Sequence, residues 1–384
     1  MASNDASLPW KGAADVARSP IAQRRTMNAL PIVDLTGTPR QRGHAHGESL
    51  RDQIAEKVDR WRDVVALGAA PSAEIYLDGL LADTDFRPAI ARWTPDLLEE
   101  IDGIAEGARQ PAEVVYALQL LDEDWWYRHR RGHGHCSSLA IAPHDGRAAW
   151  VAQTMDLPQW HDGLQAMLRI ADADGAVTYV GTSAGMIGLL GVNRQFGVCV
   201  NTLLQLSHDP KGLPVACVVR GLLAQTGTGA ARAFLKTANH ASGQNYVLGD
   251  RNGVTMYECS AGGKVEYRPD AERLWHTNDP LVSQDLAVHN PVGASRTNQC
   301  PRFAAMERRL GEPQKSIDLE ALKAVLASRD DSAMPISRPP NPSSPATANC
   351  TILAVIFEFG DATTLHYAAG APSSETEWVA QSVA

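Results

Sequence analysis

The first third of the chain carries hydrophobic residues three or four positions apart, which is the spacing of an amphipathic helix. One such stripe predicts a helix over 48–67, and its buried residues are Ile54, Val58, Trp61 and Val65. Thr94 is a good N-cap and Pro95 suits the first helical position, so a second helix is predicted over 94–107. A third helix is predicted over 111–127.

After Cys136 the pattern changes to short apolar runs that are separated by Gly, Asp and Asn. Strands are predicted at 139–142, 149–153, 166–170, 177–180, 197–204, 246–248, 254–257 and 352–359. Asp-Gly and Asn-Gly pairs predict hairpin turns at 145–146, 174–175 and 252–253. Helices are predicted near 215–226, 230–237, 302–310 and 318–328, and the proline-rich segment 335–345 is predicted to be a loop. Antiparallel strands interleaved with helices indicate an α+β layered fold.

Length and charge narrow the class of protein. A chain of 384 residues can bury one large core or two modest ones. The net charge of −9 argues against nucleic-acid binding, which needs a basic face. No stretch approaches the roughly 20 apolar residues of a membrane span, and the N-terminus lacks the apolar core of a signal peptide. We therefore expect a cytoplasmic protein that does not bind membranes, with a flexible leader at 1–28 and a single domain at 29–384.

The six cysteines include no Cys-x-x-Cys pair and are irregularly spaced. This disfavours both a zinc ribbon and a disulfide framework. Reduced thiols, most of them buried, are the ordinary expectation.

Cys136 follows a glycine- and histidine-rich segment and opens a predicted strand. Such a junction suits an N-terminal nucleophile, whose thiol first attacks the preceding carbonyl, here that of His135. Cleavage would give Cys136 a free α-amine, and an α-amine has a pKa of about 7.7–8.0. The new N-terminal residue would then supply both the nucleophile and its base.

The same residues allow other interpretations. Cys136 could be a buried cysteine at the start of a strand, or it could bind zinc together with His133 and His135. His44 and His46 form a His-x-His pair, which opens the metal site of amidohydrolase barrels. A barrel needs regular alternation of strands and helices, whereas the first third of this chain is mostly helical.

Several motifs share their order with those of one enzyme family. They are a turn and helix start at 35–47, glycine/asparagine strands at 191–193 and 197–201, a Pro…Arg-Leu-Leu helix at 214–223, and His-Thr-Asn at 276–278. Together they resemble the cysteine N-terminal-nucleophile (Ntn) hydrolases related to acyl-CoA:6-aminopenicillanic acid acyltransferase. Penicillin V acylases and bile salt hydrolases are more distant relatives. The resemblance extends from about Asp34 to Phe359 and implies a four-layer αββα sandwich with two antiparallel sheets.

The resemblance also implies a catalytic site that needs no metal or organic cofactor. The positions carried over are the nucleophile Cys136, the adjacent aspartate Asp156, the oxyanion-hole Asn201, a second asparagine Asn278, and Arg302 as the partner of the aspartate. Arg296 and Arg338 are alternative candidates for the arginine. In penicillin V acylases an arginine stands where this chain has Gln153. Without the family pattern, both asparagines could be turn residues, and the arginine could be a solvated residue at a helix start.

The implied function is a self-processing amidase that cleaves a linear amide bond of a small molecule. Its fragments, 1–135 and 136–384, would stay packed together, and the sequence is also compatible with a homo-oligomer. Transfer of the acyl group to an amine or to coenzyme A is one alternative, and a non-catalytic relative that binds small amides is another. Three tryptophans near the junction could line the substrate pocket or pack in the core: Trp125, Trp126 and Trp160.

Overall fold

A computed structural model describes residues 30–66, 70–128, 136–268, 272–288, 300–312 and 316–384. The predicted leader, His133, His135 and Arg296 lie outside these residues.

Within the described residues, helices dominate before Cys136 and strands dominate after it. The helices are α1 Pro39–Ser49, α2 Arg51–Ala66, α3 Ala73–Asp83, α4 Arg87–Trp93, α5 Asp96–Ala108, α6 Ala112–Leu118, α7 Leu121–Tyr127, α8 Val215–Leu223, α9 Thr228–Thr237, α10 Pro301–Leu310 and α11 Leu319–Leu326. The strands are β1 Ile32–Leu35, β2 Ser137–Ile141, β3 Ala149–Pro158, β4 Gln165–Ala171, β5 Val177–Ser183, β6 Leu190–Asn193, β7 Gly197–Thr202, β8 Gln244–Asp250, β9 Gly253–Cys259, β10 Lys264–Tyr267, β11 Arg273–His276, β12 Asn349–Phe359, β13 Thr363–Ala369 and β14 Val379–Val383. This order confirms the predicted α+β class.

The strands form two sheets. One has eight strands in the order β1-β4-β5-β6-β7-β8-β9-β10, and the other has six in the order β11-β2-β3-β12-β13-β14. The six-stranded sheet is antiparallel, as predicted. The eight-stranded sheet is mixed, because β1 pairs with β4 in parallel. Helices α1 to α7 lie between these two strands in sequence, and so long a crossover permits parallel pairing.

The two sheets pack face to face between layers of helices. Trp150 and Ile356 of the six-stranded sheet point outward and pack in a cluster with α10 and α11. The next residues along the two strands, Val151 and Val355, belong to the main core, where Val151 lies against Gly249 of β8. Strand alternation therefore divides these side chains between two layers. Helices α8 and α9 contact β6, β7 and β8, which completes the predicted αββα sandwich.

Glycines allow α1 and α5 to touch along their backbones. A Cβ atom added at Gly43 would lie 2.0 Å from the carbonyl oxygen of Glu100, and one added at Gly103 would lie 2.3 Å from that of Arg40. Gly43 belongs to the 35–47 motif, so part of that motif serves helix packing.

The two histidines of that motif lie on helix α1 and not at the end of a barrel strand. His46 is fully buried, and its Nε2 accepts a hydrogen bond from the backbone N–H of Gly185 at 3.2 Å. The His44 side chain is 52% exposed. The pair therefore faces two different environments, which removes the basis for the barrel alternative.

Two helix boundaries differ from the prediction. The hydroxyl of Thr94 donates to the carbonyl of Ile90 and closes α4, while Pro95 takes the N-cap position of α5. The segment 111–127 forms two helices that break at Gln119, whose side-chain amide donates to the carbonyls of Val115 and Gly185. The partner at Gly185 comes from a distant loop, so the helical pattern alone could not indicate the break.

No helix in the described segments is both long enough and apolar enough to cross a bilayer.

Candidate active site

The thiol of Cys136 is buried beside the backbone of Asp156. Cys136 directly precedes β2, which pairs with β3, and the backbone N–H of Asp156 donates to its Sγ at 3.4 Å. Cys136 is 7% exposed. Burial, followed by the negative charge of Asp156, raises the pKa of the thiol to about 12. In the intact chain the sulfur is therefore held as a protonated thiol at neutral pH.

Among the described residues, a hydrogen-bond partner is present at one of the two carboxyl oxygens of Asp156. Thr351, opposite Asp156 on β12, donates to Oδ1 at 2.6 Å. Oδ2 is buried and has no hydrogen-bond partner in the described part of the chain. Burial raises the pKa of Asp156 to about 7, although the Thr351 hydrogen bond and the charges of Arg302 and Arg338 act to lower it. An oxygen of this kind can accept a hydrogen bond from a nearby ammonium group.

Arg302 binds the nucleophile's own carbonyl group. It is fully buried near the start of α10, and its Nη1 donates to the carbonyl oxygen of Cys136 at 2.5 Å and to the hydroxyl of Ser137 at 3.1 Å. Its Nη2 donates to Oδ1 of Asn278 at 3.1 Å. The sequence predicted a pair with Asp156, and the positive charge of Arg302 does lower the pKa of that carboxyl. Its forked donors fix the main chain at Cys136 as well.

Arg338, the alternative arginine, also lies near Asp156. The backbone N–H of Arg338 donates to the Thr351 hydroxyl at 3.0 Å, and the same hydroxyl donates to Asp156. The positive charge of Arg338 lowers the pKa of Asp156. Two of the three candidate arginines therefore act on this carboxyl, and Arg296 lies outside the described residues.

The side-chain amide of Asn201 has hydrogen-bond partners at its oxygen but, among the described residues, none at its nitrogen. Its Oδ1 accepts hydrogen bonds from the Ser138 hydroxyl and, at 3.0 Å, from Nδ2 of Asn245. Its own Nδ2 is buried and has no partner among the described residues. A preorganised amide N–H of this kind is what an oxyanion hole requires.

Asn278 is fully engaged, unlike Asn201. Its Nδ2 donates to the carbonyl of Thr202 at 2.9 Å, and its Oδ1 accepts from Arg302. Thr202 is the neighbour of Asn201, so Asn278 links the arginine to the end of β7. Contacts thus run from the Cys136 carbonyl through Arg302 and Asn278 to Thr202, next to Asn201.

Gln153 bridges the two sheets next to Asn201. Its Nε2 donates to the carbonyl of Val200 at 2.8 Å, and its Oε1 accepts from the backbone N–H of Val200 at 2.9 Å. The β6 ladder pairs with β7 only at Val198 and Gly197. Gln153 therefore binds the backbone of Val200 on the side of β7 where β6 has ended. Its side chain is uncharged, whereas an arginine at this position would carry a positive charge.

Acidic residues of α7 bind the part of the chain that follows the junction. Asp122 Oδ2 accepts from the Thr202 hydroxyl at 2.8 Å and from Gln244 Nε2 at 2.5 Å. Glu123 Oε1 accepts from the backbone N–H of Val215, at the start of α8, at 3.0 Å. These contacts join the regions before and after Cys136 without using the peptide bond between them.

The predicted substrate-lining tryptophans lie in different surroundings. Trp126 is half-buried and stacks on His208, with ring centroids 5.2 Å apart. Trp125 and Trp160 are buried in the main core, which favours the packing alternative for those two residues.

Several site residues were missed by the sequence reasoning: Ser138, Thr351, Asn245 and Asp122. Each is a common residue type outside any motif, and only the strand pairing and the packing of α7 reveal its role. Among the described residues, no group of three or more His, Cys, Asp or Glu side chains could hold a metal ion.

Two comparisons show which known proteins this chain is similar to. The family model described as Acyl-coenzyme A:6-aminopenicillanic acid acyl-transferase matches residues 143–363, more than half of the chain. The match begins just after Cys136 and includes Asp156, Asn201, Asn278 and Arg302. The chain is also similar to the acyl-coenzyme A:6-aminopenicillanic-acid-acyltransferase 40 kDa form of Emericella nidulans, with 26% identity over 266 residues, which is 68% of this chain and 72% of that protein. The chain therefore belongs to the acyl-coenzyme A:6-aminopenicillanic acid acyl-transferase family.

Proposed function

We propose that this protein is a self-processing cysteine amidase, which cuts its own chain before Cys136 and then hydrolyses a linear amide bond of a small molecule. The observation that supports this most directly is the pairing of Cys136 with Asp156. The sulfur touches the Asp156 backbone, and the carboxyl beside it has one buried oxygen without a partner among the described residues. That oxygen is suited to the α-ammonium group that cleavage would create on Cys136.

Self-cleavage would proceed through a thioester. Cys136 Sγ attacks the His135 carbonyl carbon, the bond from that carbon to the Cys136 nitrogen breaks, and the thiol proton passes to the released amine. Water then hydrolyses the thioester, which frees the thiol and leaves a carboxylate on His135. Arg302, which holds the Cys136 carbonyl, would keep the new N-terminus in place.

Turnover would use the same sulfur. The α-amine takes the thiol proton while Sγ attacks the substrate carbonyl, whose oxygen becomes negative. The intermediate expels the amine, which receives that proton, and water then releases the acid from the acyl-enzyme. A donor such as Asn201 Nδ2, aimed at the developing charge, contributes about 2.7–4 kcal/mol in comparable sites.

Acyl transfer is a second candidate, and the similarity to the Emericella nidulans protein favours it, because that relative is named as an acyltransferase. The acyl-enzyme would be the same, and an amine or the thiol of coenzyme A would replace water in the second half of the reaction.

Mass spectrometry under denaturing conditions tests the cleavage. We expect two fragments, 1–135 and 136–384, from the purified protein and one intact chain from the Cys136→Ala variant. Cys217→Ala is a matched control, because Cys217 is another buried cysteine, on α8, and its variant should cleave normally. A wild type that stays uncut and shows no thiol-dependent amidase activity would favour a binding protein.

Product analysis separates hydrolysis from transfer. The cleaved enzyme is incubated with N-acyl amines, with and without coenzyme A or a second amine, and the products are identified by mass. Release of the free acid in both conditions supports the amidase. An acyl thioester or a new amide as the main product supports transfer. Activity that survives Cys136→Ala but is lost to chelators would refute both.

A further inference from the structure

The amide group of Asn201 is held in one orientation by two neighbours. Ser138 and Asn245 both donate to its Oδ1, and all three side chains are fully buried. Asn245 is the direct cross-strand partner of Asn201 in the β7–β8 ladder, whereas Ser138 reaches it from β2 in the opposite sheet. Donors from both sheets thus meet on one oxygen atom.

We propose that Ser138 and Asn245 are positioning residues that turn the Asn201 amide so that its free Nδ2 faces the substrate oxygen. The proposal rests on the proposed function, in which Cys136 attacks an amide carbonyl. Neither residue touches the substrate in this role, because each acts through Asn201.

The backbone beneath Asn201 is already fixed, which leaves the side-chain amide as the part that needs orienting. Gln153 holds both polar groups of Val200, and Asn278 holds the carbonyl of Thr202. The residues on either side of Asn201 therefore cannot shift easily. A half-turn of the amide would exchange its oxygen and its nitrogen with little change in shape.

Such a half-turn would place an acceptor where the substrate oxygen needs a donor. If Asn245 kept its own orientation, the Asn201 nitrogen would then face the Asn245 nitrogen, so that two donors met without an acceptor. The Asn201 oxygen would face the substrate and repel the charge that forms on the substrate oxygen. A buried donor or acceptor without a partner is costly, so the Asn245 amide, as it is oriented here, favours the productive orientation of Asn201. The Ser138 hydroxyl, which can donate or accept, adds one hydrogen bond to this arrangement.

The closing experiment compares two variants at one position. Asn245→Ala removes a donor, and Asn245→Asp replaces it with an acceptor that should draw the Asn201 nitrogen away from the substrate. We expect kcat to fall about 100-fold in Asn245→Asp, as when an oxyanion-hole donor is lost, with little change in KM. The fall in Asn245→Ala and in Ser138→Ala should be about tenfold, since each removes one hydrogen bond.

Thr154→Val is the matched control. The Thr154 hydroxyl is buried in β3 of the same sheet as Ser138 and has no partner in the described part of the chain, so its loss should leave kcat unchanged. Self-cleavage happens once per chain, so long incubation lets slow variants mature before the assay. Melting curves of all four variants check that each is folded.

The outcomes separate this proposal from the function on which it rests. If Cys136→Ala keeps the activity, the proposed function fails. If Cys136→Ala is inactive but Asn245→Asp equals or exceeds Asn245→Ala in kcat, only the orientation proposal is overturned. A variant that folds but never cleaves itself would show that these side chains act in the cleavage step, and it would also overturn the orientation proposal.

Discussion

Replacing Asp156 by asparagine in the uncut chain should stabilise the protein at high pH. Burial raises the pKa of Asp156 from 3.8 to about 7, so the folded chain binds this proton more tightly than the unfolded chain does. Ionisation of the carboxyl then opposes folding. A shift of about three pKa units corresponds to roughly 4 kcal/mol of lost stability, which appears as the pH rises from the usual pKa through the raised one.

The measurement uses Cys136→Ala as the background, because that variant should remain intact. Urea unfolding curves are recorded for Cys136→Ala and for Cys136→Ala with Asp156→Asn at about pH 4 and about pH 8. The added asparagine should contribute roughly 4 kcal/mol more at the higher pH than at the lower. Any cost of burying its new N–H₂ group is the same at both pH values and cancels in this difference.

Asp330→Asn is a control of opposite sign. The Asp330 side chain is 29% exposed, and its hydrogen bond from Arg309 lowers its pKa, so its ionised form favours the folded state. Neutralising Asp330 should therefore lower the free energy of unfolding at high pH. If the effect of Asp156→Asn does not depend on pH, the reasoning about the buried carboxyl is refuted.

Two further predictions concern single side chains. Thr351→Val removes the hydroxyl that donates to Asp156, so the pKa of that carboxyl should rise further. The acid limb of the plot of kcat/KM against pH should then move to higher pH. At neutral pH, kcat/KM should fall about tenfold. Glu100→Gln breaks a buried contact in which Arg220 donates to both carboxylate oxygens at 2.5 and 2.9 Å while Arg42 lies at 3.4 Å. It should cost about 3–5 kcal/mol in urea unfolding near neutral pH, because the buried positive charge of Arg220 loses its negative partner, and a loss below about 1 kcal/mol would contradict this.

Periodic elements were predictable from the sequence because their signal is local. The helices α8 to α11 were each predicted to within a few residues, and at 145–146 both Asp145 and Gly146 adopt the positive φ that a tight hairpin turn requires. Strands β13 and β14 were missed, although β13 pairs along its whole length with β12. Their place in the sheet depends on that distant partner, which a local pattern does not reveal.

The candidate site also has a part that the sequence indicates and a part that only the fold reveals. Cys136, Asp156 and the two asparagines stand in short motifs and could be found from the sequence. Their electrostatic surroundings could not, because these depend on contacts across the fold. Thr351 is nearly two hundred residues from Asp156 in sequence, yet it donates to that carboxyl.

The intact chain and the cleaved chain should differ more in charge than in shape. In the uncut protein, burial keeps the Cys136 thiol protonated and raises the pKa of the Asp156 carboxyl to about 7, so that this carboxyl is only partly ionised at neutral pH. An α-ammonium group beside them would favour the ionised forms of both, since an opposite charge lowers the pKa of a buried acid. The contacts of Asp122 and Glu123 across the junction do not use the broken bond, so the framework can persist. One cleavage would thus convert an unreactive thiol and a partly protonated carboxyl into charged groups without moving the side chains that surround them.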